Sequence, residues 1–387
     1  MTQLEQYRRE IDRIDRELVA LFLERMAVTG QVGVYKQQRG IPVLDAQREK
    51  EVIAAKTAMT DDPARKADLA HLYEAIMAIS RRQQRQLVKE GLEDPGYAAW
   101  VSDMARARAP VQNPRVVYQG EPGCYSEEAA VGFFGAEVNS RGCPWFSDVF
   151  QALEAGEADY AVLPIENSST GSIRQVYDLL AQYRYSIVGE YEVKVEHCLM
   201  ALPGVAMEEI RTVYSHEQGL MQSERFLDAH RDWTRVPTLD TAGSAKQVSE
   251  TGDRTAAAIC SRRAAALYGL HILVEGTNYN SANHTRFVVV SPVPELRQGR
   301  DKISALFHLP HQSGSLHEIL TIFAVQGLNL LKLESRPIPG RSWEYLFFLE
   351  FSGDLTAPGM DGVLHELSQL ASEMRILGNF PSYEGVR

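Results

Sequence analysis

A regular stripe of apolar positions runs through the first 35 residues of the chain. Its members are three or four positions apart, which places them on one face of an α-helix. Such a face is expected to pack against partner helices as the apolar seam of a bundle. The seam consists of Leu4, Tyr7, Ile11, Ile14, Leu18, Leu21, Arg25, Val28, Val32 and Tyr35.

One charged residue, Arg25, interrupts this seam. Burying an isolated guanidinium is very costly, so Arg25 needs either a carboxylate in a structural ion pair or an anionic ligand. Lys36 follows eleven residues later. At about 100° per residue, that is three turns and only about 20° from the same line. Two cations therefore face one helix-lined space.

Two further helices carry polar side chains that suit this space. After a break at 40–42, a second helix is predicted to begin near Asp45 and a third to span 67–88. Their polar groups suit a small, doubly negative ligand better than a hydrophobic core. These groups are Arg48, Glu49, Ser80 and Gln84, and Arg8 joins them from the first helix, where it lies beside the seam. In contrast, Arg81, Arg82 and Arg85 are expected to form a solvated helix face.

The pattern changes after residues 91–113, which we interpret as a linker with a helical middle at 97–106. From 114 to 291, short β-rich runs alternate with helical segments. This alternation predicts an α/β domain of mostly parallel strands, arranged in two lobes around a cleft. The predicted strands are 115–118, 160–163, 212–214, 256–259 and 286–290, and helices are predicted after Ser126, after Ile173, from Gln218 and from Ala242.

The last part of the chain, 300–382, has a third pattern. It reads strand, helix, strand, strand, helix, strand, at 303–309, 315–326, 329–335, 345–351, 359–372 and 375–380. This βαββαβ order predicts an α+β domain of the ferredoxin-like type. The chain is therefore predicted to be multidomain, with an all-α domain at 1–90, the linker, the two-lobed α/β domain and this α+β domain.

Composition narrows the possible functions. A chain of 387 residues with 44% hydrophobic residues should hold roughly two to four domains. Its net charge of −11 argues against a nucleic-acid surface. The cysteines show no CxxC spacing and are predicted to be free thiols. The sequence shows neither an apolar leader nor an apolar run near 18 residues, which predicts a cytoplasmic protein without a membrane partner. No cofactor is predicted, and His308, His311 and His317 lack the carboxylate or thiol partners of a metal site.

Three polar loops follow or precede strands of the α/β region, where ligands bind in such sheets. The loop 120–126 contains glycines that would let backbone N–H groups approach a carboxylate at a helix N-terminus. The segment 164–172 is crowded with polar side chains, although ordinary loops are also rich in Ser and Asn. The segment 283–287 places a hydroxyl and a guanidinium at the mouth of an apolar strand.

Residues 4 to 88 resemble the all-helical chorismate mutases at 32–36 and 45–49. In that family, three helices from each of two chains form a dimer with a closed, charged site. The resemblance implies a pericyclic rearrangement that needs no acid, base or cofactor, with catalysis by conformational restraint and charge stabilisation. It implies that Arg8, Arg25 and Arg48 bind the substrate carboxylates, that Lys36 and Gln84 bind the ether oxygen, and that Asp45, Glu49 and Ser80 complete the pocket.

Residues 114 to 291 resemble prephenate dehydratase, most specifically at 164–167 and in the Thr285-Arg286-Phe287 triplet. The resemblance implies that Thr285 is central to catalysis and that Arg286 helps to bind the substrate. Cys124 stands where the family usually has Ser or Thr, and Asp240 stands where Ser is usual. Further cleft positions implied by the resemblance are Glu166, Asn167, Ser168, Ser215, His216, Gln218, Thr241 and Phe287.

The C-terminal region resembles the ACT domain, a regulatory amino-acid-binding module, at 314–317 and 333–337. In dehydratases these segments bind phenylalanine between paired ACT domains, so end-product inhibition is implied. His317 and Leu331 stand where smaller or hydroxylated residues are more usual. The implied effector-binding residues are Gly314, Ser315, Leu316, Asn329, Glu334, Ser335, Arg336 and Pro337.

Together, the resemblances imply a bifunctional chorismate mutase/prephenate dehydratase that converts chorismate through prephenate to phenylpyruvate and is inhibited by phenylalanine. They also imply a homodimer or a larger homo-oligomer. A mutase fused to a prephenate dehydrogenase should show G-x-G-x-x-G after a strand, and this sequence has none. A cytoplasmic phenylalanine-binding sensor with inactive catalytic domains remains the alternative from a different class.

Overall fold

The structure is a computed structural model, and it describes residues 2–41, 43, 45–87, 102, 106–312, 314–338 and 340–383. The chain forms two compact units. The first comprises Met1–Ala98, Gln312–Gln326 and Pro358–Leu370, and the second comprises Ala99–His311, Gly327–Ala357 and Ala371–Arg387. Most of the predicted linker helix at 97–106 lies outside the described residues. The domain boundaries proposed from the sequence stay predictions.

The described helices and strands follow the predicted order with several additions. In chain order they are α1 (Gln3–Gln37), α2 (Ala46–Thr57), α3 (Pro63–Leu87), β1 (Arg115–Gln119), α4 (Tyr125–Phe134), β2 (Asn139–Cys143), α5 (Phe146–Glu154), β3 (Tyr160–Asn167), β4 (Gly171–Ser172), α6 (Arg174–Gln182), β5 (Ser186–Lys194), β6 (Cys198–Ala201), β7 (Thr212–His216), α7 (Glu217–Gln222), α8 (Glu224–Leu227), β8 (Thr234–Thr238), α9 (Thr241–Thr251), β9 (Ala256–Cys260), α10 (Arg262–Tyr268), β10 (His271–Val274), β11 (His284–Ser291), β12 (Lys302–His308), α11 (Ser315–Val325), β13 (Leu330–Pro337), β14 (Tyr345–Ser352), α12 (Met360–Leu370) and β15 (Glu373–Phe380).

The first unit is helical. Helix α1 begins with a capping box, in which Thr2 and Glu5 each satisfy the other's backbone N–H group. Helix α3 begins at Pro63, four residues before the predicted start, because proline suits the first helical position, where no N–H partner is needed. The nine apolar seam residues of α1 remain exposed in the single chain. Helix α1 therefore has an apolar face that the described part of the chain leaves exposed.

Helices α1 and α3 approach each other closely at Gly33. A Cβ atom at this position would lie 2.9 Å from Gln84 Cγ and 3.2 Å from Gln84 Cα. The missing side chain thus lets α3 pack directly on the backbone of α1. This contact sets the distance between the two helices that carry Arg25 and Gln84.

Helix α1 also meets a test for membrane helices. It is the one described helix that is long and apolar enough to cross a membrane, by length and composition alone. Helices of soluble proteins also meet this test, and α1 additionally carries the charged residues Glu24 and Arg25 in the middle of its apolar stretch. The absence of a membrane partner stays a prediction.

The second unit contains three described sheets. The first has the order β2-β1-β3-β11-β5, with β4 paired to β3, and the second has the order β10-β6-β9-β7-β8. The first sheet is mixed, because β1, β2 and β3 are parallel whereas β11 runs antiparallel to β3 and β5. The second is also mixed, because β7 is parallel to β8 and β9 whereas β6 is antiparallel to β9 and β10. The prediction of mostly parallel strands is therefore wrong. Buried strands give continuous apolar runs in either direction, so the sequence pattern does not report their orientation.

The third sheet, β13-β14-β12-β15, is antiparallel throughout. Its side chains join the hydrophobic core beneath the first sheet through Leu306, Phe348, Leu377 and Phe380. The core of the second sheet is separate and contains Trp233. The third sheet is thus packed onto the first one, which carries Thr285.

Candidate active sites

The helical unit brings Arg25 to Ser80. The Arg25 guanidinium donates to Ser80 Oγ at 2.7 Å, and Ser80 Oγ in turn donates to the Ile76 carbonyl at 2.8 Å. Among the described side chains, no carboxylate lies within ion-pair distance of Arg25. This arrangement favours the ligand alternative over the structural ion pair for Arg25.

The same face of α3 carries Gln84, one turn after Ser80. Both side chains are buried, and Gln84 Oε1 has no hydrogen-bond partner among the described atoms. An unsatisfied buried amide oxygen costs free energy unless a ligand or water contacts it. Lys36 Nζ donates to the Val43 carbonyl at 2.6 Å instead of joining this pair.

Glu49 has a partner that sequence analysis missed. Arg81 donates to Glu49 Oε2 at 2.5 Å and also forms an ion pair with Glu318 of α11. The expectation that Arg81 lies on a solvated face is wrong, since only 8% of this residue is exposed. The carboxylates of Glu49 and Glu318 compensate the buried charge of Arg81. The helical periodicity of α3 alone does not reveal these two partners, because they lie on other helices.

Three further residues of the proposed mutase pocket lie at the surface of the single chain. Arg8 is exposed, and Arg48 contacts Glu51 at 3.4 Å. Asp45 is the N-cap of α2, where its carboxylate accepts from the Arg48 N–H group at 3.0 Å. The single chain does not bring these residues to Arg25.

In the first sheet, Thr285 and Asn167 are register partners on β11 and β3. Asn167 Nδ2 donates to Thr285 Oγ1 at 2.9 Å, and both residues are buried. Ser168 is exposed and connects the end of β3 to the start of β11, because its hydroxyl accepts from the His284 N–H group at 2.9 Å. The structure thus brings the segments 164–168 and 283–287 together.

A buried polar chain leads away from Asn167. Asn167 Nδ2 donates to Asn283 Oδ1 at 2.8 Å, and Asn283 Nδ2 donates to Gln222 Oε1 at 3.0 Å. Gln222 Oε1 lies 2.9 Å from His197 Nε2. Burial lowers the pKa of His197 to about 4, although the contact with Gln222 opposes this shift. Sequence reasoning missed His197, Gln222 and Asn283, although Asn283 begins the segment 283–287 on which the resemblance rests.

Arg286 and Glu166 lie on the opposite face of the sheet from Thr285. They are register partners, one position from the Thr285–Asn167 pair, and successive side chains alternate between faces. Arg286 contacts Glu190 at 3.0 Å and Glu350 of the third sheet at 2.9 Å, and Glu166 contacts Lys332 at 2.7 Å. Arg286 and Glu166 thus face away from Thr285 and pair with other side chains, and a substrate-binding role for them stays a prediction.

This ionic cluster is compact and mostly buried. Burial opposes the charge of Arg286, but Glu350 and Glu190 outweigh it and raise the Arg286 pKa. Lys302 of the third sheet also contacts Glu190, at 2.5 Å. The cluster connects the strands of the first sheet to the third sheet.

The second sheet and the helices that pack on it carry most of the remaining predicted cleft positions, and Phe287 lies on β11 of the first sheet. Ser215 is fully buried and donates to the Ile259 carbonyl at 2.7 Å. His216 caps α7 by accepting from the Gln218 N–H group at 3.2 Å, and burial lowers its pKa. Gln218 is exposed, Thr241 begins α9, and Phe287 is buried in the core behind the first sheet.

The loop 120–124 does not present free N–H groups to an anion. Glu127 accepts from the Gly123 N–H group at 2.6 Å, and Asp240 accepts from the Glu121 N–H group at 3.3 Å. Two acidic side chains thus fill the predicted carboxylate cradle. Burial raises the pKa of the Cys124 thiol to about 12, and Cys124 contacts the Gln119 carbonyl at 3.6 Å without capping α4.

The predicted effector residues fall in both compact units. In the first unit, Gly314 is the N-cap of α11, and Ser315 and Leu316 form its first turn. In the second unit, Glu334 accepts from Ser172 Oγ at 2.7 Å, and Arg336 contacts Asp178 at 2.6 Å. Ser335 and Pro337 lie on the same strand, and Asn329 just precedes it.

The described residues hold four free, buried cysteines, as predicted. Within the described ranges, no group of three or more His, Cys, Asp or Glu residues could hold a metal ion.

Comparison with known proteins identifies both catalytic regions. Residues 7–85 match the family model for chorismate mutase type II, and residues 116–295 match that for prephenate dehydratase. The helical unit and the two-lobed α/β region therefore belong to an enzyme with a mutase module and a dehydratase module.

Relatives extend this identification to the whole chain. The bifunctional chorismate mutase/prephenate dehydratase of Escherichia coli (strain K12) is 32% identical over 383 residues, covering 97% of this chain and 95% of the relative. The chain belongs to the family of bifunctional chorismate mutase/prephenate dehydratases. Arogenate dehydratase 3, chloroplastic, of Arabidopsis thaliana is 38% identical over 298 residues, covering 73% of this chain and 70% of the relative.

A solved structure supports the fold of the dehydratase region. The prephenate dehydratase of Arthrobacter aurescens in complex with L-Phe shares 31% identity and a TM-score of 0.63. The match covers 69% of this chain and 89% of that chain.

Proposed function

We propose that this enzyme rearranges chorismate to prephenate at Arg25, Ser80 and Gln84, and converts prephenate to phenylpyruvate at Thr285. The bond from Asn167 to Thr285 in the segment that matches prephenate dehydratase is the observation that carries the second activity. The two reactions use separate groups of residues. They should therefore be separable by mutation.

For the mutase reaction, Arg25 binds a substrate carboxylate, and Lys36 and Gln84 stabilise charge on the breaking C–O bond. Gln84 would act through its amide N–H group, which can donate to the ether oxygen, whereas its Oε1, unpaired among the described atoms, can only accept from a ligand hydroxyl or an ordered water. Arg48 binds a second carboxylate, with Asp45 and Glu49 completing the pocket. No step requires a cofactor, since the reaction is an intramolecular rearrangement.

For the dehydratase reaction, prephenate loses its ring carboxylate as CO2 while hydroxide leaves the opposite ring carbon. Aromatisation supplies much of the driving force. Thr285 polarises the leaving hydroxyl through a hydrogen bond. Asn167, Ser168, Ser215, His216, Gln218 and Thr241 are proposed to surround the substrate.

The C-terminal region is proposed to be an ACT domain that binds phenylalanine as an inhibitor. Its βαββαβ element order and antiparallel sheet support this assignment. A prephenate dehydratase with 31% identity was solved in complex with L-Phe. The ion pair between Arg336 and Asp178 gives the effector region a direct connection to α6 of the dehydratase region.

We further propose a cytoplasmic homodimer or larger homo-oligomer. The exposed seam of α1 supports self-association, because nine large apolar side chains on one helix face favour a covering partner. In a dimer paired through this seam, the exposed Arg8 would serve the pocket of the partner chain.

Arogenate is a second candidate substrate for the dehydratase site. The 38% identity to an arogenate dehydratase over this region favours it. The mutase module favours prephenate, because its product is prephenate and the same chain would consume it. Measuring kcat/KM with each purified substrate distinguishes them, and a higher value for arogenate would reverse our assignment.

Two variants test the separation of activities. Arg25→Ala should abolish most chorismate loss but spare conversion of added prephenate, whereas Thr285→Ala should make prephenate accumulate from chorismate. Damage to both reactions by either variant would indicate unfolding. A parent chain that binds phenylalanine but consumes neither substrate would establish the sensor alternative.

A further inference from the structure

Thr285 stands at one end of a line of polar side chains that is almost entirely buried. Asn167, Asn283, Gln222 and His197 are each at most 7% exposed. Buried polar groups must satisfy one another, so the direction of each hydrogen bond constrains the next. We call this line, from Thr285 to His197, the polar relay.

The backbone fixes the direction at Asn167. Asn167 Oδ1 accepts from the N–H groups of Ser169 at 2.9 Å and Thr170 at 3.1 Å. Since backbone N–H groups only donate, the other side-chain atom of Asn167 is its amide nitrogen. That nitrogen has two hydrogens, and its two shortest contacts are to Asn283 Oδ1 at 2.8 Å and Thr285 Oγ1 at 2.9 Å, whereas the His284 carbonyl lies farther away at 3.2 Å.

The remaining directions follow in sequence. Asn283 has used its oxygen, so its nitrogen donates and Gln222 must present Oε1. Gln222 Oε1 can only accept, so its 2.9 Å contact with His197 Nε2 requires that Nε2 carry a proton. A neutral imidazole with its proton on Nε2 leaves Nδ1 as an acceptor facing the Tyr125 hydroxyl at 3.1 Å, and the single proton of that hydroxyl is shared between Nδ1 and the Glu196 carbonyl at 2.9 Å.

We propose that His197 is a positioning residue for the dehydratase reaction, acting through Gln222, Asn283 and Asn167 to hold Thr285. Because Thr285 Oγ1 accepts from Asn167, its own proton remains available to the leaving hydroxyl of the substrate. The relay also anchors Thr285 of the first lobe to His197 and Gln222 of the second. This inference rests on the proposed dehydratase activity.

Nitrogen NMR of the histidine side chains tests the relay in the parent protein, with His197→Gln used to assign the signal. The expected signal is a neutral imidazole protonated on Nε2 at pH 7. An imidazolium, or a proton on Nδ1, would overturn the proposal. This readout is independent of activity, so it distinguishes failure of the relay from failure of the proposed function.

Kinetics test the positioning role. His197→Leu should lower kcat for prephenate about tenfold with little change in KM, because Thr285 loses its alignment. His197→Gln should restore most of kcat, since its amide can donate to Gln222. Adding His197→Leu to Thr285→Ala should cause no further loss, and a full additional tenfold loss would contradict the relay.

If His197→Leu does not fold, the comparison of His197→Gln with the parent remains decisive together with NMR. A His197→Gln protein that folds but loses kcat as completely as Thr285→Ala would count against the positioning role. A parent chain without dehydratase activity would end the proposed function, while the NMR result would still test the hydrogen-bond directions.

Discussion

At the scale of single residues, the alternation of side chains along β11 separates two groups that share a motif. Thr285 and Arg286 are adjacent, yet Thr285 joins Asn167 whereas Arg286 joins Glu190 and Glu350. The alternation of a β-strand makes this separation unavoidable. The substrate-binding role that the resemblance implies for Arg286 therefore stays a prediction, because Arg286 pairs with carboxylates on the other face of the sheet.

Replacing Arg25 tests the proposed carboxylate anchor. We expect Arg25→Ala to lower mutase kcat/KM by about 10² to 10³-fold, because a charge-assisted contact to the substrate is lost. Arg13→Ala is the matched control, since Arg13 lies on the same helix and pairs only with exposed Glu10 and Glu17. Equal losses in the two variants would remove Arg25 from the pocket.

Acid should destabilise the protein through His197. Its folded pKa of about 4 lies below the unfolded value near 6.5, so the unfolded chain binds the proton first. Stability from this residue is therefore complete above pH 6.5 and is lost as the pH falls toward 4, by about 3 kcal/mol in total. Denaturant unfolding of the parent and His197→Gln across this range measures the difference. Parallel pH profiles would contradict the assignment.

At the scale of elements, the approach of α1 to α3 determines the mutase pocket. Gly33→Ala should lower mutase activity about tenfold or more, because the added Cβ would displace Gln84 and its backbone. Gly30→Ala is the control, as its Cβ would meet two side-chain ends, Leu87 Cδ1 at 3.2 Å and Gln83 Nε2 at 3.7 Å, and no described backbone atom of another element. Both substitutions raise helix propensity. A loss of mutase activity in Gly33→Ala alone would therefore report the close contact between Gly33 and Gln84.

The ionic cluster around Arg286 makes a second prediction at this scale. Arg286→Ala should destabilise the protein by about 3–5 kcal/mol, because it leaves Glu190 and Glu350 buried without their shared cation. Arg254→Ala, which breaks an exposed ion pair with Glu209, should have little effect on unfolding. A raised KM for prephenate with unchanged stability would instead restore Arg286 as a substrate ligand.

The elements also show what a sequence pattern can predict. The prediction of α1 succeeds because regular apolar spacing marks one face of a helix, and that of β11 succeeds because a short continuous apolar run is typical of a buried strand. Strand β2, at 139–143, was missed because its residues are mostly polar and lack alternation. The burial of Arg81 and the relay to His197 depend on contacts between distant segments, which no local pattern encodes.

At the scale of the whole molecule, the exposed seam of α1 makes self-association the central question for the mutase. If Arg8 serves the partner's pocket, a purified heterodimer of Arg8→Ala and Arg25→Ala chains has one complete pocket. It should show about half of the parent mutase activity, although each homodimer is inactive. A heterodimer as inactive as the homodimers would place Arg8 in the pocket of its own chain.

The most direct test of the account is conversion of chorismate by the purified parent chain, with chorismate, prephenate and phenylpyruvate quantified over time. The account predicts that chorismate disappears, that prephenate appears transiently and that phenylpyruvate accumulates without any added cofactor. Loss of chorismate without phenylpyruvate would confine activity to the helical unit. No loss of chorismate would contradict the central claim.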